Sequence, residues 1–107
     1  GTDTIYAGAG FDTIIGGTED DLIYGGFNAD TFIFPDGHGN DTIMDFDALN
    51  AREVIDFSNL NGLSRFSDVL SVASQSGQDV TIATGTGSSI RLRNVELDDL
   101  DESDFDF

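Results

Sequence analysis

The chain contains no cysteine, no tryptophan and no lysine, and only one proline and one histidine among 107 residues. Without cysteine there can be no disulfide framework and no thiolate zinc site. One imidazole, His38, cannot build a zinc site by itself, and with no thiol present a cysteine–histidine pair is also excluded. Positive charge is nearly absent: four arginines stand against 21 acidic residues, a net charge of −17. Nucleic acid and anionic membrane surfaces both require a basic patch, so both are poor partners, and a cation is the natural one. No apolar run approaches the length of a membrane-spanning helix. Nothing resembles a nucleophile elbow. Carboxylate pairs suited to glycoside hydrolysis are better explained as cation ligands or solvated charge. A non-catalytic segment is expected, with His38 an exposed loop imidazole beside Asp36 and Gly39, although the sequence alone leaves a Ser-His-Asp arrangement through His38 open.

Glycine and aspartate, by contrast, are placed with a strict period. Asp3, Asp12, Asp21 and Asp30 recur every nine residues, each followed two positions later by Ile5, Ile14, Ile23 or Phe32. Gly8, Gly17 and Gly26 precede three of these aspartates by four residues, and Gly1 lies nine before Gly10. A carboxylate offers a hard oxygen ligand, glycines let the backbone turn its carbonyls toward an ion, and the apolar residue is the single inward side chain of a very short strand. An ordinary acidic linker would not lock a hydrophobic residue to the glycine phase. Each nonapeptide therefore makes a six-residue loop and a three-residue strand, and two of them complete one turn of a roll. Loops 18 residues apart then stack, pairing Asp12 with Asp30 and Asp3 with Asp21.

Read as GTDTIY, AGAGFDTII, GGTEDDLIY and GGFNADTFI, the repeats resemble the GGxGxDxUx nonapeptide of the RTX family of secreted bacterial proteins. The resemblance covers residues 1 to about 47 and implies calcium as the cation, two to four ions in all. It also implies carbonyl ligands from the second and fourth positions of the earlier loop and the first and third of the later one. One site would then use Gly8, Gly10, Asp12, Gly25, Phe27 and Asp30. A second would use Gly1, Asp3, Gly16, Thr18 and Asp21. A third pairing begins at Gly17, Glu19 and Asp21 and a fourth at Gly26, Asn28 and Asp30, with Asp41 the best closing carboxylate for one of the two. Glu19 and Asn28 stand where the pattern has glycine, and glutamate is the harder of the two to place in a left-handed backbone, so the loop over residues 16–21 is expected to be distorted.

The spacing breaks between Phe34 and Asn40, where Pro35 and two extra residues intrude before Asp41, Thr42 and Ile43 restore the phase. The break marks the end of the roll. Beyond Asp47 the composition becomes conventional: a strand over Glu53–Phe57, an amphipathic helix over residues 66–75 built on Phe66, Val69, Leu70 and Ala73 with Ser64 or Ser67 as its cap, and a hairpin joining Val80–Ala83 to Ile90–Arg93 through Gly85 and Gly87. Residues 41–107 resemble the capping region after RTX repeats in serralysin-type secreted metalloproteases. Seven acids in the last twelve residues, ending Phe105, Asp106, Phe107, resemble the uncleaved C-terminal signal of type I secretion substrates, although the Phe pair could equally tuck into the cap.

The expected fold is thus mainly all-β, a right-handed parallel β-roll over residues 1–47 with a small α+β cap over residues 48–107. The chain opens in mid-repeat and reads as the C-terminal piece of a longer protein, its partners being calcium, the N-terminal domain of that parent and the type I secretion machinery. It is expected to be a secreted, extracellular monomer that folds on binding calcium, since dense negative charge opposes compaction and a chain this small buries only a modest core. A second functional class is a binding module. Tyr6 and Tyr24 are 18 apart, as are Ile15 and Ile33, and each couple should stack on an outward sheet face as a platform for polysaccharide or a dock for the parent's catalytic domain.

Overall fold

A computed structural model describes residues 3–26, 30–46, 53–85 and 87–107. The first four strands are β1 (Thr4–Tyr6), β2 (Thr13–Ile15), β3 (Leu22–Tyr24) and β4 (Thr31–Ile33), three residues each, as the nonapeptide predicts. In so short a strand only the middle side chain points to one face. That side chain is Ile5, Ile14, Ile23 or Phe32: the last three are buried and Ile5 is partly so. Each fully buried one contributes about 1.5–3 kcal/mol. Successive strands alternate between two sheets and pair parallel with the strand one turn away. Thr4 is in register with Leu22 and Thr13 with Thr31.

The insertion between Phe34 and Asn40 does not end this ladder, contrary to expectation. Strand β5 (Asn40–Ile43) joins β3 with Leu22 opposite Thr42, so two extra residues are absorbed in the loop and the inward phase resumes at Ile43. Strand β6 (Val54–Asp56) likewise joins β4, Thr31 opposite Val54, and places Ile55 over Phe32. Strand pairing needs only that the turn return the chain in phase, so a loop of another length is tolerated. The expected boundary between Asp47 and Ala48 lies outside the described residues.

The remaining elements cover the growing end. Helix α1 spans Phe66–Val72 and is followed by β7 (Ala73–Ser76), β8 (Asp79–Gly85) and β9 (Ser88–Leu92). The hairpin β8–β9 forms as predicted, and β9 lies parallel to β5, so one sheet runs β1-β3-β5-β9-β8-β7. The other runs β10-β6-β4-β2, closed by β10 (Phe105–Asp106) on β6. The edges that β5 and β6 would expose are thereby paired, which is how a cap suppresses edge-to-edge association.

The helix is shorter than predicted because Ala73 leaves it to pair with Ile82. Two turns seat one narrow line of contact: Val69 is buried and Phe66 packs on the core, whereas Leu70 is 45% exposed, against the predicted stripe. Neither serine is the N-cap. Arg65 holds that position without a side-chain bond, and Ser64 instead donates its N–H and hydroxyl to Asp68 at 3.0 and 3.2 Å. These bonds, the backbone one first, hold the Asp68 carboxyl below the usual aspartate range. At the hairpin's foot Asp79 accepts from the Asn94 N–H at 2.9 Å and from Arg91 Nε at 3.0 Å, which lowers its pKa in that order of effect. Asn94 itself has φ 57°, a left-handed conformation that asparagine tolerates.

Candidate metal centre

Asp21 and Asp30 each grip the turn before with one oxygen. Asp21 Oδ1 accepts the Asp3 N–H at 2.9 Å, and Asp30 Oδ1 accepts the Asp12 N–H at 3.0 Å. The loops therefore stack as the 18-residue spacing predicts, with Gly8, Gly10, Gly17 and Gly26 all at positive φ. The second oxygen of these carboxylates is different. Oδ2 of Asp12, of Asp21 and of Asp30 is buried without a hydrogen-bond partner. A buried anionic oxygen with no partner is costly, and it is the signature of a position meant for a cation.

The chain around these oxygens is shaped to leave room. A methyl group on Gly16 would lie 2.7 Å from Asp21 Oδ2, and one on Gly25 would lie 2.7 Å from Asp30 Oδ2 and 2.8 Å from the Phe32 ring. Glycine is required there for close approach. Electrostatics agree: burial first, then the charges of Asp12 and Asp45, raise the Asp30 pKa above the ordinary aspartate value. Both effects would reverse beside a divalent ion. Among the described residues no three carboxylate or imidazole side chains converge as a cage, so carbonyl oxygens must complete any site. Hard oxygen donors in carbonyl-rich, flexible loops suit calcium far better than zinc or magnesium.

Asp41 is brought to Asp21, not to Asp30, and accepts its N–H on Oδ1 at 2.9 Å. It thus stands at the third pairing, with Gly17, Glu19 and Asp21. Glu19 stays outside the left-handed region, in contrast to Gly10 at the equivalent place, so the loop over residues 16–21 departs from its neighbour's conformation there. For the fourth pairing the register supplies a residue that sequence reading missed. Val54 N–H donates to the Asp30 carbonyl at 3.0 Å as Thr31 N–H does to Asp12 at 2.8 Å, so buried Glu53 stands in the place of a repeat aspartate. Asp45 was missed as well: it accepts from Gly25 N and Gly26 N at 2.9 and 3.0 Å, and Asp20 accepts from Asn40 N at 2.8 Å. Asp45 follows Gly25 by 20 residues, the offset of Asp41 from Asp21, which was the available signal. Gly1, Phe27 and Asn28 lie outside the described residues.

His38 is not an exposed loop imidazole. It is 1% exposed, its Nδ1 2.7 Å from Asp41 Oδ2 and its Nε2 2.7 Å from Thr84 Oγ1. The order carboxylate, imidazole, hydroxyl is that of a catalytic triad. Here the hydroxyl is that of Thr84, which is buried and held by the ring. On the outer face Tyr6 and Tyr24 stack as predicted, centroids 4.7 Å apart with planes 8° from parallel. Tyr6 nevertheless remains 72% exposed.

Residues 1–32 match the family model of the RTX calcium-binding nonapeptide repeat, in four copies. The first third of the chain thus carries RTX-type repeats. A solved structure similar to the whole chain is the extracellular lipase LipA from Serratia marcescens, at 26% identity and a TM-score of 0.75. The alignment covers 99% of this chain and 20% of that one, so the chain spans about a fifth of the lipase's length. No curated protein sequence matches. A parallel β-roll closed by a cap is therefore the fold of this chain.

Proposed function

We propose that the chain is a calcium-binding RTX module that folds on binding the ion outside the cell and serves the export and stability of a larger secreted protein. The observation that carries this reading is the set of buried, unpartnered Oδ2 atoms on Asp12, Asp21 and Asp30. One site is assigned to Gly8, Gly10, Asp12, Gly25, Phe27 and Asp30, a second to Gly1, Asp3, Gly16, Thr18 and Asp21, and a third to Gly17, Glu19, Asp21 and Asp41. Gly26, Asn28 and Asp30 would be closed by Glu53 rather than by Asp41. Calcium would supply the positive charge that these carboxylates lack and tie successive turns together in place of disulfides.

The mechanism is linkage between binding and folding. In a calcium-poor cytosol, repulsion among 21 acidic residues keeps the chain open and threadable. Outside, at the ~10⁻⁴ to 10⁻³ M affinities typical of extracellular calcium modules, the folded state gains the binding energy and the roll closes. The acidic tail is assigned a role in type I secretion. Export takes the unfolded chain, so the tail is readable before Phe105 packs into the cap, and the two uses follow one another. The roll, with β6 as its last rung, would be followed by a cap, the two joined to an N-terminal domain of the parent and without catalytic duty of their own.

Calcium titration followed by calorimetry tests the assignment. Asp12→Asn keeps the shape of the side chain but removes one buried charge, and should raise half-saturation several-fold. Asp99→Asn, an acid outside the roll, should leave it unchanged. Equal effects from the two variants would reduce the site to bulk electrostatics and sink the assignment.

A further inference from the structure

Asp41 differs from the repeat aspartates in one respect. The Oδ2 atoms of Asp12, Asp21 and Asp30 are buried and unpartnered, whereas Asp41 Oδ2 is held by His38. His38 is in turn fixed from its other side by Thr84, a residue of β8 that lies 46 positions later, and its ring packs on Phe34 at 5.0 Å between centroids. The carboxylate accepts from Nδ1–H and Nε2 meets the Thr84 hydroxyl, so both nitrogens are used. A continuous buried chain of hydrogen bonds thus runs from the Asp21 N–H through Asp41 and His38 to Thr84. One end is the backbone of a residue that faces an ion position. The other is the cap hairpin.

The same loop is stitched to the hairpin at its exit. Ser89 N–H donates to the Gly39 carbonyl at 3.0 Å, and Ser89 Oγ donates to Asn40 Oδ1 at 2.8 Å. Movement of the loop bearing His38 and Asp41 must therefore be shared with β8–β9.

We propose that the Asp41–His38–Thr84 chain couples occupancy of the calcium site at Asp21 and Asp41 to seating of the β8–β9 hairpin, His38 acting as a positioning residue for the Asp41 carboxylate. The proposal rests on the calcium reading above. An ion at Asp21 and Asp41 needs the Asp41 carboxylate fixed in one orientation, and a hydrogen-bonded partner behind a ligand supplies that constraint. A carboxylate oxygen has a lone pair for His38 and another for the ion. Coupling is reciprocal, so a seated hairpin tightens calcium and bound calcium seats the hairpin. The hairpin would seat fully only once the site at Asp21 and Asp41 is filled.

Thr84→Val removes the hydroxyl while keeping the side chain's shape, and the full chain is titrated with calcium by calorimetry and followed by amide exchange at Ile82 and Ile90. Half-saturation should rise roughly fivefold or more, and protection of the hairpin amides should lose its dependence on calcium. Thr84→Ser, which retains the hydroxyl, should behave as wild type. Ile82→Val, a mild core change on the same strand, controls for simple loss of stability. In a double-mutant cycle Thr84→Val should be non-additive with Asp41→Asn, whereas Ile82→Val should add to it. If Thr84→Val matches Ile82→Val in both respects, the bond is packing alone and the coupling is overturned. A lower half-saturation would mean that His38 competes with the ion, and would overturn it too. A wild-type chain that binds no calcium would instead bring down the functional reading beneath it.

Discussion

Deleting Ser103–Phe107 should cost the module about 3–5 kcal/mol, the usual loss for removing one buried phenylalanine, and so a large part of a typical domain stability of about 5–15 kcal/mol. The tail is built into the fold. Phe105 is 6% exposed, pairs with Ile55 through β10, and lies 5.7 Å from the Phe57 ring and 5.8 Å from Phe66. Asp104 is buried and accepts the Asp101 N–H at 2.9 Å, while Asp101 Oδ1 accepts the Ser103 N–H at 2.8 Å, a reciprocal cap on the last helical turn. A shift of the denaturant midpoint in saturating calcium measures the loss. Phe105→Ala alone should reproduce most of it, and Phe107→Ala, at 37% exposure, much less. A truncated chain with the wild-type midpoint would show that β10 adds nothing.

The second large effect is expected at a glycine whose φ is not unusual. In Gly25→Ala the new methyl must displace Asp30 Oδ2 and the Phe32 ring together, since both lie under 3 Å from where it would stand. Overpacking of this kind costs about 1–3 kcal/mol, and moving the carboxylate should also weaken calcium binding several-fold. Gly85→Ala is the matched control, because nothing lies within 4 Å of the added carbon. It should be nearly neutral in both stability and calcium affinity. Equal behaviour of the two variants would mean that the space beside Asp30 has no role.

Much of this architecture was legible because it is written locally. A nine-residue period fixes loop, ligand and inward side chain together, and parallel registers of Thr4 with Leu22 and Thr13 with Thr31 follow from it by arithmetic. The β8–β9 hairpin is equally local. What escaped depends on contacts far apart in the chain. Nothing near Asn40 announces that Ser89, 49 residues on, will pair beside it, nor that Phe105 will close the other sheet on Ile55. His38 sits among glycine, aspartate and proline, where a histidine is ordinarily solvated, and its burial depends on Thr84 from a distant strand. Helix α1 ended early for the same reason, because Ala73 had a better partner in Ile82 than in the helix. Glu53 was hidden by an offset of 23 from Asp30, where the eye looks for 18, and only the pairing of Thr31 with Val54 brings it into line.

The central claim is that calcium and folding are one event, and far-UV circular dichroism of the full chain in EDTA and in millimolar calcium tests it most directly. The account predicts little strand signal in EDTA and a cooperative gain on adding calcium, with magnesium a poor substitute because it demands a smaller and more regular cage than these carbonyl-rich loops can form. An identical strand spectrum with an identical thermal midpoint in both conditions would contradict it.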